Sequence, residues 1–286
     1  LILTEKQSNL INELILLSLE EDIGEGDHTT LACVPANSTQ KAKLLVKDSG
    51  ILCGVDVARR IARIVDSRLI INQLIQDGES IKPGDIAFII EGSPRSILAA
   101  ERLILNCMQR MSGIATYTHK LVSLIKDTKS TIIDTRKTSP GMRVLEKWAV
   151  QTGGGGNHRM GLYDMIMIKD NHIDFAGGIK PAISNVHAYL KEKQLDLRIE
   201  IEARKLEDIY EIMQIGGINR IMLDNFSPEQ IREALPVIAG KYETEASGGI
   251  NEQNLRRYAE TGVDFISIGA LTHQVRSLDL SLKAFE

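Results

Sequence analysis

Five cations stand just behind short apolar or glycine-rich runs: Arg136 and Lys137 after Thr131-Ile132-Ile133, His158 and Arg159 after Gly153 to Gly156, and Lys169 after Met165 to Ile168. Positive groups gathered in one cleft repel each other unless anions bind there. Arginine forks suit carboxylates and phosphates, so the set points to a substrate with several negative groups. Any one of these residues alone reads as a surface charge. Two acids, Glu202 and Asp224, follow neighbouring apolar runs. Facing cations, they suit a magnesium ion that arrives with a phosphate group, or equally serve as salt-bridge partners. Glu200 lies two residues from Glu202 and points to the same strand face, so periodicity leaves open which acid matters.

Glycines supply a third feature. Ser247-Gly248-Gly249-Ile250 sits between a strand-like run and a helical stretch beginning near Glu252, and Ile268-Gly269-Ala270 ends the next run. Backbone amides freed by small residues bind phosphate well, and two such loops on successive strands are the usual phosphate site of a barrel. The run Gly153 to Gly156 lacks the spacing of a dinucleotide fingerprint and reads as a loop presenting Asn157-His158-Arg159.

The elements that must position these groups fall into two rhythms. Residues 1–112 mix helical stretches (Asn9 to Glu21, Asp56 to Asp66) with strand-like runs (Ala42 to Val46, Leu69 to Ile75, Ile86 to Ile90), which predicts an α+β domain. From about Gly113 to residue 286, strand and helix alternate. Runs at Thr131 to Ile133, Met165 to Ile168, Leu197 to Ile201, Ile221 to Leu223, Tyr242 to Thr244 and Phe265 to Ile268 are separated by helices such as Leu206 to Ile215, Pro228 to Ala239 and Glu252 to Thr261. Ser227 before Pro228 reads as an N-cap with proline at the first helical position. Polar groups after so many successive strands favour a barrel of six or seven strands over an open sheet, which collects its site at one switch point. The tail from about residue 274 is a candidate to pack back on the N-terminal domain.

Composition narrows the class. A net charge of −4 over 286 residues gives no basic footprint for nucleic acid. Three cysteines without paired spacing argue against a disulfide framework or zinc site, and no apolar run approaches the ~20 residues of a bilayer span. No signal peptide is visible at LILTEKQSN. The expectation is a soluble, cytoplasmic protein that binds neither membrane nor nucleic acid.

Taken in order, several segments resemble the quinolinate phosphoribosyltransferase family. They are Gly24-Glu25-Gly26-Asp27, Glu101-Arg102-Leu103-Ile104-Leu105-Asn106, Met111 to Thr116, Asp134-Thr135-Arg136-Lys137-Thr138-Ser139-Pro140-Gly141, Gly155-Gly156-Asn157-His158-Arg159, Lys169-Asp170-Asn171-His172, Leu223-Asp224-Asn225-Phe226, Ser247-Gly248-Gly249-Ile250 and Ile268-Gly269-Ala270-Leu271-Thr272-His273. Together they run over nearly the whole chain. The resemblance implies an N-terminal α/β sandwich followed by an incomplete α/β barrel, in a homodimer with shared active sites. It implies transfer from phosphoribosyl pyrophosphate to quinolinate, with loss of carbon dioxide and with magnesium as cofactor. Arg136, His158, Arg159 and Lys169 would hold the ring carboxylates, with Arg102 reaching in from the other subunit, and Thr135 would also line the substrate site. Lys137 would meet phosphate, Glu202 and Asp224 the ribose or its magnesium, and the Ser247–Gly249 and Ile268–Ala270 loops the 5′-phosphate. Lys137, Glu202 and Asp224 are the catalytic candidates. One extra residue within Ala203-Arg204-Lys205 departs from the family pattern; Glu202 is aligned with the family's acid. Two readings compete on the residues alone: a Schiff-base lyase with Lys169 as nucleophile, and a non-catalytic barrel that senses a sugar phosphate.

Overall fold

The computed structural model describes residues 3–36 and 38–285. In chain order the elements are α1 (Glu5–Ile23), α2 (His28–Cys33), β1 (Gln40–Val46), β2 (Gly50–Ile51), α3 (Val55–Val65), β3 (Ile70–Gln73), β4 (Ser80–Ile81), β5 (Ile86–Gly92) and α4 (Pro94–Leu124). Next come β6 (Thr131–Ile133), α5 (Arg143–Thr152), β7 (Ile166–Ile168), α6 (Asp170–Ala176), α7 (Ile179–Lys193), β8 (Ile199–Ala203) and α8 (Leu206–Ile215). The chain ends with β9 (Arg220–Asp224), α9 (Pro228–Ile238), β10 (Glu243–Ser247), α10 (Leu255–Ala259), β11 (Phe265–Ser267), α11 (Ala270–His273) and β12 (Leu280–Phe285).

The chain divides into two compact units. One holds the residues up to His119, Thr138–Gly154 and the tail from Leu271; the other holds Lys120–Lys137 and Gly155–Ala270. The two units thus interleave along the sequence, with α5 and the tail from Leu271 belonging to the first.

The first unit is built on an antiparallel sheet in the order β12-β1-β5-β3. Along β1, Ala42, Leu44 and Val46 are buried while their neighbours are less so, the alternation of a sheet with one covered face. Leu44 lies opposite Leu282 and Val46 opposite Leu280, so the tail completes the sheet through apolar cross-strand pairs. Helix α1 starts with a capping box, Thr4 accepting from the Gln7 amide and Gln7 accepting from the Thr4 amide. Inside α4, Gly113 lets the 276–277 backbone come close: a Cβ there would lie 2.3 Å from the Arg276 carbonyl oxygen.

The second unit is a six-stranded parallel sheet, β6-β11-β10-β9-β8-β7. The first strand in sequence, β6, pairs with the last, β11, so the sheet curls on itself as an incomplete α/β barrel. Its opening falls between β6 and β7. There Gly156 bridges to Ile133, donating its amide to Ile132 O at 2.8 Å and accepting from the Asp134 amide at 3.2 Å. Helix α9 carries the expected Ser227 cap and Pro228 at its first turn.

Two boundaries differ from the sequence reading. Strand β8 runs Ile199–Ala203, two residues beyond the expected Leu197 to Ile201, which puts Glu202 inside the strand. The helix expected from Glu252 to Thr261 shrinks to Leu255–Ala259.

The close approach at Gly113 makes a direct prediction. Gly113→Ala forces backbone, not a flexible side chain, to move, at a cost of about 1–3 kcal/mol. Its thermal midpoint should fall by several degrees; an unchanged midpoint would show that the 276–277 segment does not press on the helix.

Candidate active site

Parallel strands of one curled sheet all end on the same side, so residues at the C-terminal ends of β6 to β11 converge whatever their distance in sequence. At the end of β7, the Lys169 ammonium lies 2.5 Å from Glu202 Oε1. The other Glu202 oxygen accepts the Asp170 amide at 3.0 Å, at the start of α6. Glu202 thus clasps a cation and a helix N-terminus at once, an arrangement favoured by both charge and dipole. Arg204, just after β8, is taken up by Asp174 at 3.0 Å. Asp224 ends β9, the next strand, and accepts the Asn225 side-chain amide at 2.7 Å. Burial raises the Asp224 pKa, and the Glu202 charge raises it further, while Lys169 and a hydrogen bond from Ser247 pull it down. Two carboxylates that repel each other on neighbouring strands are a donor set that a magnesium ion with its own waters and phosphate ligands would relieve.

Arg136 and Lys137 follow β6. Arg136 is partly buried and Lys137 exposed, and the Lys137 amide donates to Thr135 Oγ1 at 3.0 Å. Arg159 is buried and donates to the Met165 carbonyl at 3.3 Å. Burial lowers its pKa and the Arg136 charge lowers it further, so two guanidinium groups already feel one another here. Anions are the natural partners of such a pair.

His158 is turned inward. Its side chain is 4% exposed, with Nε2 3.0 Å from Glu200 and 3.3 Å from Glu245, while Nδ1 accepts the Arg159 amide at 2.6 Å. The His158 amide donates to the buried Asp134 carboxylate at 2.9 Å. A ring carboxylate would meet this imidazole only by displacing one of these partners. In this arrangement the imidazole lies among Glu200, Glu245 and the Arg159 amide.

The same layer holds two residues that the sequence reading did not single out. Arg220 on β9 donates to Glu245 at 2.9 Å and to Glu243 at 3.0 Å, and its guanidinium lies 3.9 Å from the Phe265 ring centre. His158, Glu200 and Glu245 present ligand atoms close enough together to hold a metal ion. Arg220 already supplies the positive charge there, which makes the cluster an ion-pair network. Nothing in the spacing of Arg220 and Glu245 could have flagged them, because the pair forms across the sheet.

Ser247–Gly249 and Ile268–Ala270 follow the adjacent strands β10 and β11. Gly248 (φ 100°) and Gly249 (φ 62°) adopt the left-handed region, and a Cβ on Gly248 would meet Asn225 Oδ1 at 2.2 Å. The Asn251 and Asn254 side chains donate to Gly249 O, fixing the loop ahead of the short α10. Arg102 lies exposed on α4 in the first unit, in a groove of about 440 Å³ with Leu14, Ser18, Asp22 and Asn106. The remaining candidates all belong to the second unit.

Comparison with known proteins adds to this geometry. Residues 27–112 match the family described as quinolinate phosphoribosyl transferase, N-terminal domain, and residues 114–283 match the C-terminal domain of the same family. A tobacco (Nicotiana tabacum) protein called quinolinate phosphoribosyltransferase [decarboxylating] 1b is 42% identical over 285 residues, covering 94% of this chain and 81% of its own. The crystal structure of NadC from Streptococcus pyogenes superposes with a TM-score of 0.92 at 36% identity, covering both chains fully. That of the nicotinate-nucleotide pyrophosphorylase from Francisella tularensis gives 0.90 at 39% identity, over 97% of this chain and 96% of its own.

The buried cluster sets a pH dependence of stability. Burial opposes the charged imidazole, but Glu200 and Glu245 outweigh it and raise His158 from 6.5 to about 9. Burial, and then the Glu245 charge, raise Glu200 from 4.5 to about 7. Both folded-state values lie above the unfolded ones, so the folded chain holds extra protons. Glu200's contribution is complete below 4.5 and lost as pH rises through 7; that of His158 is complete below 6.5 and lost through 9. Urea midpoints should therefore fall between pH 6 and pH 9.5, and His158→Gln should remove the part lost above pH 8. A flat or rising profile would contradict the assignment.

Proposed function

This chain belongs to the quinolinate phosphoribosyltransferase family, and we propose from that membership, together with the site, how it works. It is a pentosyltransferase that moves the phosphoribosyl group of phosphoribosyl pyrophosphate onto quinolinate and releases carbon dioxide, giving nicotinate mononucleotide and pyrophosphate for NAD biosynthesis. The observation that carries the reading is the set of opposed charges at the strand ends: Lys169 clasped by Glu202, Asp224 on the next strand, and the mutually repelling pair Arg136 and Arg159. A pyridine dicarboxylate and a sugar carrying phosphates are the ligands such a set would satisfy.

In the first step the bond from the ribose carbon to pyrophosphate breaks and the pyridine nitrogen bonds to that carbon. Lys137, exposed at the end of β6, is placed to take the charge of the departing phosphate oxygens, and the Ser247–Gly249 and Ile268–Ala270 backbones to hold the 5′-phosphate. Glu202 and Asp224 face the ribose hydroxyls, whose partial positive charge grows as the ring carbon becomes electron-poor. Glu202 and Asp224 would hold a magnesium ion mainly through the phosphates it travels with, and that ion would supply charge neutralisation on pyrophosphate. Arg136, Arg159 and Lys169 fix the ring carboxylates, so the nitrogen approaches in line; the protein contributes orientation and electrostatics and no covalent nucleophile. In the second step the bond between the ring and its 2-carboxylate breaks. The electron pair left on carbon lies beside the quaternised nitrogen and then takes a proton. The Glu202 clasp on Lys169 argues against the Schiff-base reading, since an ion-paired ammonium is a poor nucleophile.

The active species is proposed to be a homodimer in which Arg102 completes the partner's site. Among the described residues no helix is long and apolar enough to cross a membrane. The unpaired thiols of Cys33, Cys53 and Cys107 suit a reducing compartment, and we assign the enzyme to the cytoplasm on that ground.

Two measurements test this. With phosphoribosyl pyrophosphate present, quinolinate should yield carbon dioxide and nicotinate mononucleotide in equal amounts. Nicotinate, which lacks the 2-carboxylate, forfeits about two charge-assisted hydrogen bonds, so kcat/KM should be lower by about a thousandfold. Comparable use of nicotinate would overturn the dicarboxylate assignment. For the shared site, Arg102→Ala and Lys169→Ala should each be nearly inactive. After random subunit exchange, the mixture should recover up to about a quarter of wild-type activity. No recovery, with exchange verified, would remove Arg102 from the partner's site.

A further inference from the structure

Strands β6 and β11 lie side by side, Ile133 accepting the Ile268 amide at 3.0 Å, and each leads straight into a segment assigned above to phosphate. Thr135-Arg136-Lys137 follows β6, and Gly269-Ala270 follows β11. The far ends of both segments meet one side chain, Arg110 of α4, which the reaction described above does not use. Its Nη2 donates to Ser139 Oγ at 3.2 Å and to the Thr272 carbonyl. A single nitrogen thus joins the residue two places after Lys137 to the one two places after Ala270. Glu146 of α5 holds that guanidinium in place. Its Oε1 accepts from Arg110 Nε at 2.9 Å and from Nη2 at 2.7 Å, while Oε2 accepts the Ser139 amide at 3.1 Å. Glu146 and Thr272 are fully buried, so water cannot take over these bonds. The two segments are thereby closed into a frame, with backbone pairing at one end and Arg110 at the other.

We propose that Arg110, held by Glu146, is a positioning residue for phosphoribosyl pyrophosphate, fixing the span between the Lys137 segment and the Gly269-Ala270 turn. This substrate carries anions at both ends of one sugar, pyrophosphate on one carbon and phosphate on another, so both must be met at one fixed distance. Lys137 on one side and the glycine turn on the other are the groups assigned to those two ends. A frame that holds the span before binding spares the substrate the cost of drawing two loose segments together. A ligand with only one of the anions needs no such span, because it can follow whichever segment it binds. The choice of substrate rests on the phosphoribosyl-transfer reading above; the tie between the two segments does not.

The test is Arg110→Lys in the full chain. Lysine keeps a positive charge opposite the buried Glu146, which alanine would leave unpaired, but it is shorter and has no planar fork to reach Ser139 and Thr272 together. At saturating quinolinate, kcat/KM for phosphoribosyl pyrophosphate should fall about tenfold. The inhibition constants of inorganic pyrophosphate with magnesium and of ribose 5-phosphate, which each carry one of the two anions, should stay within about threefold. The quinolinate KM is no control here, since Arg136 shares the segment with Lys137. On the substrate-free protein, amide hydrogen exchange should quicken at least about threefold in both 135–142 and 268–273, with strand β8 as in the wild type. Ser139→Ala, which removes one of the two ties, should quicken 135–142 alone and lower kcat/KM about two- to threefold; it decides the matter should Arg110→Lys fold poorly. A folded Arg110→Lys with wild-type kcat/KM, with all three constants weakened alike, or with exchange unchanged in either segment overturns the proposal. A wild type that does not turn over phosphoribosyl pyrophosphate, but whose two segments loosen together in Arg110→Lys, sinks the assigned reaction and leaves the tie standing.

Discussion

Two carboxylates in a barrel core, both cut off from water, are the constraint to which the rest of this structure answers. Glu200 and Glu245 would destabilise the fold by several kcal/mol each if left uncompensated. Arg220 and His158 balance them, and the balance requires β8, β9, β10 and the segment after Gly156 to be in register with one another. In most barrels the interior is layered branched aliphatics. Here one layer is an ion-pair network, which gives up some hydrophobic stabilisation in exchange for directionality. A methyl group tolerates a shift of half an ångström; a shared carboxylate oxygen between a guanidinium and an imidazole does not.

That directionality is passed upward by the strand period. Along β8, Glu200 and Glu202 share the inner face, two residues and so one layer apart. The lower acid belongs to the core network and the upper one to the Lys169 clasp. A single five-residue strand thus ties the charge balance of the core to the mouth of the barrel. Depth separates the two acids: Glu202 meets Lys169, and Glu200 meets His158.

How much of this was legible in the sequence depended on what hid each element. Strands β6, β7, β9 and β11 and helix α8 stood out because their apolar runs are continuous or cleanly periodic. Strand β10, expected over Tyr242 to Thr244, runs Glu243–Ser247. Its inner face carries Glu243, Glu245 and Ser247, so hydrophobicity fades where the strand is most deeply placed. The same inner-face charge displaced the expected β8 by two residues. Helix α5, with Glu146 and Lys147 both buried, went unread for the same reason: the Arg110 to Glu146 pair at 2.7 Å that justifies burial lies 36 positions away in sequence. The order of the site motifs was plain; the supporting charges were not, since each is an ordinary exposed residue until its partner is known.

The polar interior also explains why the barrel can stay open. Closing between β6 and β7 would need backbone pairing along the whole edge, yet among the described residues Gly156 alone makes a bridge there, with its Cβ position 3.0 Å from Ile133. Glycine permits that approach, and the chain then turns at once into Asn157-His158-Arg159. Had β6 and β7 paired fully, the loop carrying His158 and Arg159 would have no gap through which to enter the interior. The opening is therefore where the core network gains its imidazole and the mouth gains its arginine. An incomplete barrel places both residues from one short segment, and the single glycine bridge suffices because the Asp134 carboxylate, buried beside it, takes the His158 amide that the missing strand pairing would otherwise leave exposed.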